Sequence, residues 1–331
     1  MTQRMFIEDA LIKKSMFVTL QLVSNCFLSV LKGLKIVFRP LYALILVFLV
    51  NANSFEGNYS KILEEIKKNE KKPVKDEIML LANHLLEDIE KNSLSVKSNE
   101  ELNDGYIAFR KASLYFPDEE KFTLAMKKFF YERYKRNLTS DEDKEDMFYH
   151  FLESRMFKEA DIFCQEFKLK CEELPKKVKS KNSHKTKGRV IELMSKNINE
   201  IIVKNIDFEK GSKVVIVFSP TCSVTLRALS KIVSDERISK IFRVNSIFLT
   251  RKYLPMELLN FKNEHKMENV YIVFKSSDFP DFYFYFYPHF YFIKNGKILY
   301  EFKGWDDEDK SIGNVYMGLE KIGLLKSEKR K

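Results

Sequence analysis

Residues Val215–Thr225 read Val-Ile-Val-Phe-Ser-Pro-Thr-Cys-Ser-Val-Thr. An unbroken β-branched and aromatic run ends in Ser219-Pro220-Thr221, and an apolar-periodic stretch, Ser223–Val233, begins directly after Cys222. That is the pattern of a buried strand, a tight turn and a helix. It places Cys222 at a helix start, where unpaired N–H groups and a partial positive charge favour a thiolate. The plainer reading makes Cys222 a small buried hydrophobe.

Working outward, strand and helix alternate. Lys213–Phe218 and Arg243–Leu249 read as strands, Leu254–His265 as a helix and Val270–Phe274 as a third strand. His289–Ile293 and Lys297–Phe302 then form a hairpin about Lys294-Asn295-Gly296, with Asn-Gly at its turn. This alternation predicts an α/β sandwich around a mixed sheet. Just before the hairpin stands Tyr287-Pro288. A proline there donates nothing to a ladder and can be cis.

Taken together these segments resemble the thioredoxin-like fold. Its strand–Cys-x-x-Cys–helix unit matches Val214–Leu229, and its cis-proline matches Pro288. Its hairpin matches Phe290–Lys297, and its last strand matches Ile298–Gly304. The likeness covers about residues 200–320. The Ser-Pro-Thr-Cys lead-in looks most like the extracytoplasmic thiol–disulfide interchange branch, and the long gap from Cys222 to Pro288 suits that branch's extra strand and helix. The resemblance implies that Cys222 is the nucleophile and that Pro288 shapes a groove for extended polypeptide.

The departures bear on function. The second cysteine of the motif falls on Thr225, the usual tryptophan on Thr221, and the buried acid that assists proton transfer near Ile216. Thr225 cannot resolve a mixed disulfide, because a hydroxyl neither leaves nor forms one, so a partner thiol must do it. Two other cysteines, Cys164 and Cys171, lie in the preceding half. On one continuous helix they are about 10.5 Å apart along the axis, beyond the roughly 7 Å Cα limit for a disulfide. They can pair only if the helix breaks between Lys168 and Lys170.

From Tyr59 to Leu174 the pattern is helical. Ile78, Leu81, Leu85 and Ile89, and later Phe122, Met126, Phe129 and Phe130, recur at spacings of three and four. Pro117–Glu120 and Ser140–Asp143 are helix starts. Breaks at Lys72-Pro73, Lys91–Asn99, Phe116–Asp118, Asn137–Asp141 and Arg155 predict about six helices in antiparallel hairpins. Met147–Phe167 resembles a single tetratricopeptide-type helix–turn–helix, with Ala160 at the crossing, but no second copy follows at a fixed period. The fold expected is an all-α N-terminal domain over 53–174, a basic linker over 175–189 and a C-terminal α/β thioredoxin-like domain over 190–331.

Residues 34–52, LKIVFRPLYALILVFLVNA, have basic residues ahead of ten apolar ones, Leu41–Val50, and small residues suited to a cut after Ala52. A run of ten is a signal-peptide core and too short to span a bilayer. The position is late, which fits translation starting near Leu34, with residues 1–33 upstream of the true start. An uncleaved anchor, or one or two membrane segments within 16–50, are the alternatives. All but the last keep residues 53–331 outside the cytoplasm, periplasmic or otherwise extracytoplasmic.

The net charge is +10, with 57 basic and 47 acidic side chains. Seven basic and no acidic residues fall in Pro175–Arg189 alone. The excess thus belongs to a solvated run, which argues against a nucleic-acid-binding face. Four cysteines without a Cys-x-x-Cys pair exclude a zinc ribbon, a dithiol motif and a disulfide scaffold. No cofactor or metal is expected.

Ten of the fourteen residues Phe279–Phe292 are Phe or Tyr. They read as core packing, or as an exposed grip for extended polypeptide beside Pro288. His289 could tune Cys222 if the two meet. Three functions fit: a redox-degenerate module that binds other envelope or secreted proteins; a monothiol oxidoreductase using Cys222 with glutathione or another small thiol; and a component of an envelope secretion or conjugation assembly. Membrane contact is expected only through the N-terminal segment.

Overall fold

Five helices open the part of the chain that the computed structural model describes, residues 75–181, 187–194 and 198–326. The expected signal or anchor over 1–52 lies outside these residues, as does the helix start expected after Tyr59. The helices are α1 (Lys75–Lys91), α2 (Asn99–Tyr115), α3 (Glu120–Lys135), α4 (Asp141–Glu153) and α5 (Phe157–Phe167). Capping boxes start two of them. Ser98 and Glu101 close reciprocally on α2, and Ser140 and Asp143 on α4. The apolar stripe of α3, Phe122, Met126, Phe129 and Phe130, is fully buried. Gly105 of α2 lets that stripe approach, since a Cβ there would stand 2.2 Å from the Phe129 ring.

The helix α5 stops at Phe167, and Lys168 turns left-handed with φ 53°. This break brings Cys171 back over the last turn, and Cys164 and Cys171 form a disulfide with Cα atoms 6.3 Å apart. The run expected to be a bare linker holds a strand, β1 (Lys177–Ser180), whose four residues are all exposed. Arg189 at its far end belongs to the next strand. A solvated, lysine-rich segment can still add to a sheet edge, because pairing uses the backbone and lysines keep the outer side soluble.

Eight strands form one sheet: β1, β2 (Arg189–Leu193), β3 (Glu200–Asn205), β4 (Ser212–Val217), β5 (Ser246–Thr250), β6 (Val270–Val273), β7 (His289–Lys294) and β8 (Lys297–Lys303). Their order is β1-β3-β2-β6-β5-β4-β7-β8. Strands β4, β5 and β6 run parallel, and β7 and β8 are antiparallel beside β4. The segment expected to carry a strand from Arg243 is helical up to Asn245, in α7 (Ser239–Asn245), before β5 begins. The Asn245 side chain donates to the Ile241 carbonyl and finishes that helix.

Alternation along the strands divides the core. Val214, Ile216, Phe248, Ile272, Phe290 and Phe292 face the helices α6 (Ser223–Ser234), α7, α8 (Pro255–His265) and α9 (Glu308–Lys321), and join the core of the N-terminal helices. Val215, Val217, Ile247, Leu249, Tyr271, Val273, Tyr291 and Ile293 face the other side. There the cover is the segment between β6 and β7, irregular after one 3₁₀ turn at Ser276–Asp278, through Phe279, Phe282, Phe284 and Tyr287, with Ile206 and Phe208. Large rings let a short irregular segment shield a whole sheet face. The segment is held by the Arg189 guanidinium donating to the Asp278 carboxylate at 2.8 and 3.0 Å, by the Gly188 N–H donating to the Asp278 carbonyl at 3.0 Å and by the Tyr283 N–H donating to the Tyr291 hydroxyl at 2.9 Å.

The described helices and strands fall within one compact unit. Among the described residues no helix is long and apolar enough to cross a membrane.

Candidate functional site

Strand β4 ends at Val217, directly opposite His289, the first residue of β7. The turn that carries Cys222 and the Tyr287–Pro288 bond therefore leave the sheet along one edge, at the same end of the strands. Cys222 is the N-cap of α6, with extended backbone (φ −80°, ψ 115°), and its side chain makes no cap hydrogen bond. It is half-buried with a free thiol. Its N–H donates to the Ser219 carbonyl at 3.1 Å, and its own carbonyl accepts from Leu226 N–H at 3.0 Å. Thr221 and Ser223 beside it are exposed, whereas Pro220 is buried.

The Tyr287–Pro288 peptide is cis. The Pro288 carbonyl accepts the N–H of Gly304, at 2.9 Å, which ties it to the end of β8. Gly304 has φ 80°, a backbone form that suits glycine. Trp305 follows, 2% exposed, with its ring centroid 5.9 Å from Phe290 and 6.5 Å from Phe302.

Thr225 lies three residues into α6, on the same helical face as Cys222. It is buried, and its hydroxyl has no partner among the described residues. The position can hold a small side chain but offers no thiol to Cys222.

His289 is engaged away from any free role. It is buried, its ring stacks on Tyr291 at 4.2 Å, and its Nδ1 is 2.8 Å from the Tyr291 hydroxyl. That hydroxyl also accepts from Tyr283 N–H at 2.9 Å, so both groups are held in one buried hydrogen-bonded cluster. Burial, with Lys303 nearby, pushes the His289 pKa down to about 4.

The aromatic stretch is part core and part exposed. Phe279, Phe284, Phe290, Tyr291 and Phe292 are core, whereas Tyr283 and Phe286 are 48% and 42% exposed in the segment leading to Pro288.

Two arginines that no sequence motif marks out organise this edge. Arg155, left-handed at φ 60° after α4, has a buried side chain. Its guanidinium donates to the carbonyls of Leu152 and Glu153 and, across the sheet edge, to those of Arg251 (2.6 Å) and Val273 (2.9 Å). Arg251 follows β5 and donates to the Tyr115 carbonyl at 3.0 Å, with its guanidinium over the Tyr285 ring at 4.6 Å. The Tyr285 hydroxyl donates to the same Tyr115 carbonyl at 3.1 Å. The last turn of α2 is thus fastened to the segment that carries Pro288. The only hint in the sequence is an arginine at a helix break.

Among the described residues no group of three His, Cys, Asp or Glu side chains could hold a metal ion. Compared with family models, curated proteins and solved structures, the chain matches none.

Proposed function

We infer that this chain is an exported, thioredoxin-like protein-binding module that lacks dithiol chemistry, with its N-terminal helical hairpins as scaffold. The observation that carries the reading is the strand order β5-β4-β7-β8, with Cys222 starting the helix after the central strand and the cis Pro288 one residue ahead of its antiparallel neighbour. An extended polypeptide laid along that edge meets Tyr283 and Phe286 as apolar handles. Thr225 in place of a resolving thiol, and Thr221 and Ile216 at the other two departures, favour binding over turnover. The Cys164–Cys171 disulfide is in keeping with an oxidising compartment.

A second reading, monothiol exchange, is favoured by one observation: the Cys222 thiol is free and half-buried instead of packed away. The two separate in one set of measurements. Binding to a permanently unfolded, carboxymethylated polypeptide is compared for the wild type, Cys222→Ser, Phe286→Asp and Tyr283→Asp. The binding module predicts that Cys222→Ser binds like the wild type and that both aspartate variants bind at least tenfold more weakly. Equal binding by all four proteins, or none by the wild type, would sink it. Glutathione-dependent disulfide reduction that disappears in Cys222→Ser, and no longer needs glutathione in Thr225→Cys, would establish the monothiol enzyme instead.

A further inference from the structure

Among the described residues the connector from α5 to the sheet is held by one covalent bond, by the buried Pro175 and by a few weaker contacts. Cys171 is bonded to Cys164 in the last turns of α5. The Glu173 carbonyl accepts from the buried Tyr253 hydroxyl at 3.4 Å, and Leu169 and Leu174 are half-buried against the core. Next comes β1, a sheet edge that among the described residues pairs with β3 alone, in parallel. Nothing in β1 is buried, and Val178, its one apolar side chain, is 47% exposed. Lys179 pairs with Glu200, but exposed ion pairs hold little. Beyond the backbone ladder and the buried Pro175, the covalent bond at Cys171 is the restraint that ties this connector to α5. Both cysteines are half-buried at the margin of the core and not sealed within it.

We propose that the Cys164–Cys171 disulfide is a redox-operated clamp on β1. A dithiol reductant opens it in two steps. One thiolate attacks a cysteine sulfur and breaks the Cys164–Cys171 bond, giving a mixed disulfide and a cysteine thiolate that takes up a proton. The second thiol of the reductant then displaces the other cysteine and closes the reductant's own disulfide. Two electrons and two protons pass to the protein. The loop from Cys164 to Cys171 becomes an open chain, the left-handed turn at Lys168 keeps only its backbone bonds to the Cys164 carbonyl, and β1 frays from β3. The redox state then decides whether the sheet ends on β1 or on β3. The inference is independent of the role of Cys222.

Amide hydrogen exchange on the full chain tests it, with oxidised protein, dithiothreitol-reduced protein and the Cys164→Ser/Cys171→Ser variant. The reporters are the N–H groups of Leu169, Leu174, Lys177 and Lys181, bonded to the carbonyls of Cys164, Cys171, Asn199 and Val203. Their exchange is expected to rise about 10- to 100-fold in both the reduced and the doubly substituted protein, the size of a loop-closure effect over so short a loop. Amides of β4 and β7 should be unchanged. Repeating the reduction in Cys222→Ser should give the same result. The proposal is overturned if the reporters do not change, if β4 and β7 loosen equally, or if native protein resists dithiothreitol while the double variant keeps the oxidised pattern.

Discussion

The Tyr291 hydroxyl lies 2.8 Å from His289 Nδ1, and the same oxygen accepts the N–H of Tyr283 at 2.9 Å. Burial of this cluster, with Lys303 nearby, favours neutral His289 on folding. Its pKa falls to about 4 from an ordinary 6.5, and that of buried His150, whose Nδ1 is 2.6 Å from the Ser113 hydroxyl, falls to about 3. Between these values and 6.5 the unfolded chain binds more protons than the folded one, so stability drops as pH falls through that window. Each histidine contributes a slope of up to ~1.4 kcal/mol per pH unit. Urea unfolding from pH 7 to pH 4 should show this, and His289→Asn should flatten the slope. A pH-independent midpoint would exclude neutral burial of both rings.

Glu173 behaves in the opposite sense. Burial and the neighbouring Glu257 and Glu153 raise its pKa. The folded state then holds a proton more tightly than the unfolded state, and stability is lost as pH rises through the raised value. Glu173→Gln should melt higher than the wild type at pH 7. The two should converge near pH 4, where the wild-type carboxyl is protonated. A variant that melts lower at both pH values would show that the carboxylate is well solvated.

Two glycines of α9 make a matched pair. A Cβ at Gly318 would stand 2.4 Å from the Phe292 ring, whereas one at Gly313 meets nothing within 4 Å. Gly318→Ala should cost about 1–3 kcal/mol through overpacking. Gly313→Ala should gain about 0.5–1 kcal/mol from helix propensity. Chemical denaturation reads both, and equal effects at the two sites would contradict the packing of α9 on β7.

Arg155 joins the helices to the edge of the sheet through four carbonyls. Lysine cannot reproduce that fork, so Arg155→Lys should cost about 2–4 kcal/mol. Because the helices and sheet share this core, far-UV and near-UV circular dichroism should report one unfolding transition in the wild type. Two separated transitions would instead match a pair of domains joined by a bare linker.

Strand β4, the helix after Cys222, the β7–β8 hairpin and the position of Pro288 were legible because each rests on local signals: an apolar run, a turn dipeptide, a proline ahead of a strand. The disulfide was legible only as a condition, that the helix break near Lys168. The chain gives no left-handed glycine there to announce the break. Strand β1 was hidden because an edge strand without buried side chains has no period-two pattern. The start of β5 was misplaced because Arg243–Leu249 is apolar enough for either helix or strand. The fastening by Arg155 and Arg251 was invisible, since hydrogen bonds between carbonyls and side chains more than ninety positions apart leave no spacing to read.

Trp305 is the chain's one tryptophan, and its place beside Gly304 makes it a reporter. The N–H of Gly304 is bonded to the Pro288 carbonyl, and the indole packs against Phe290 and Phe302 on the two neighbouring strands. Its N–H has no partner among the described residues, so the ring sits in a nearly solvent-free setting and should emit at short wavelength. Anything that tugs on the proline edge is relayed through one hydrogen bond to the only indole in the molecule. Emission wavelength and quenching can therefore follow occupancy of that edge in unlabelled protein, whatever the occupant.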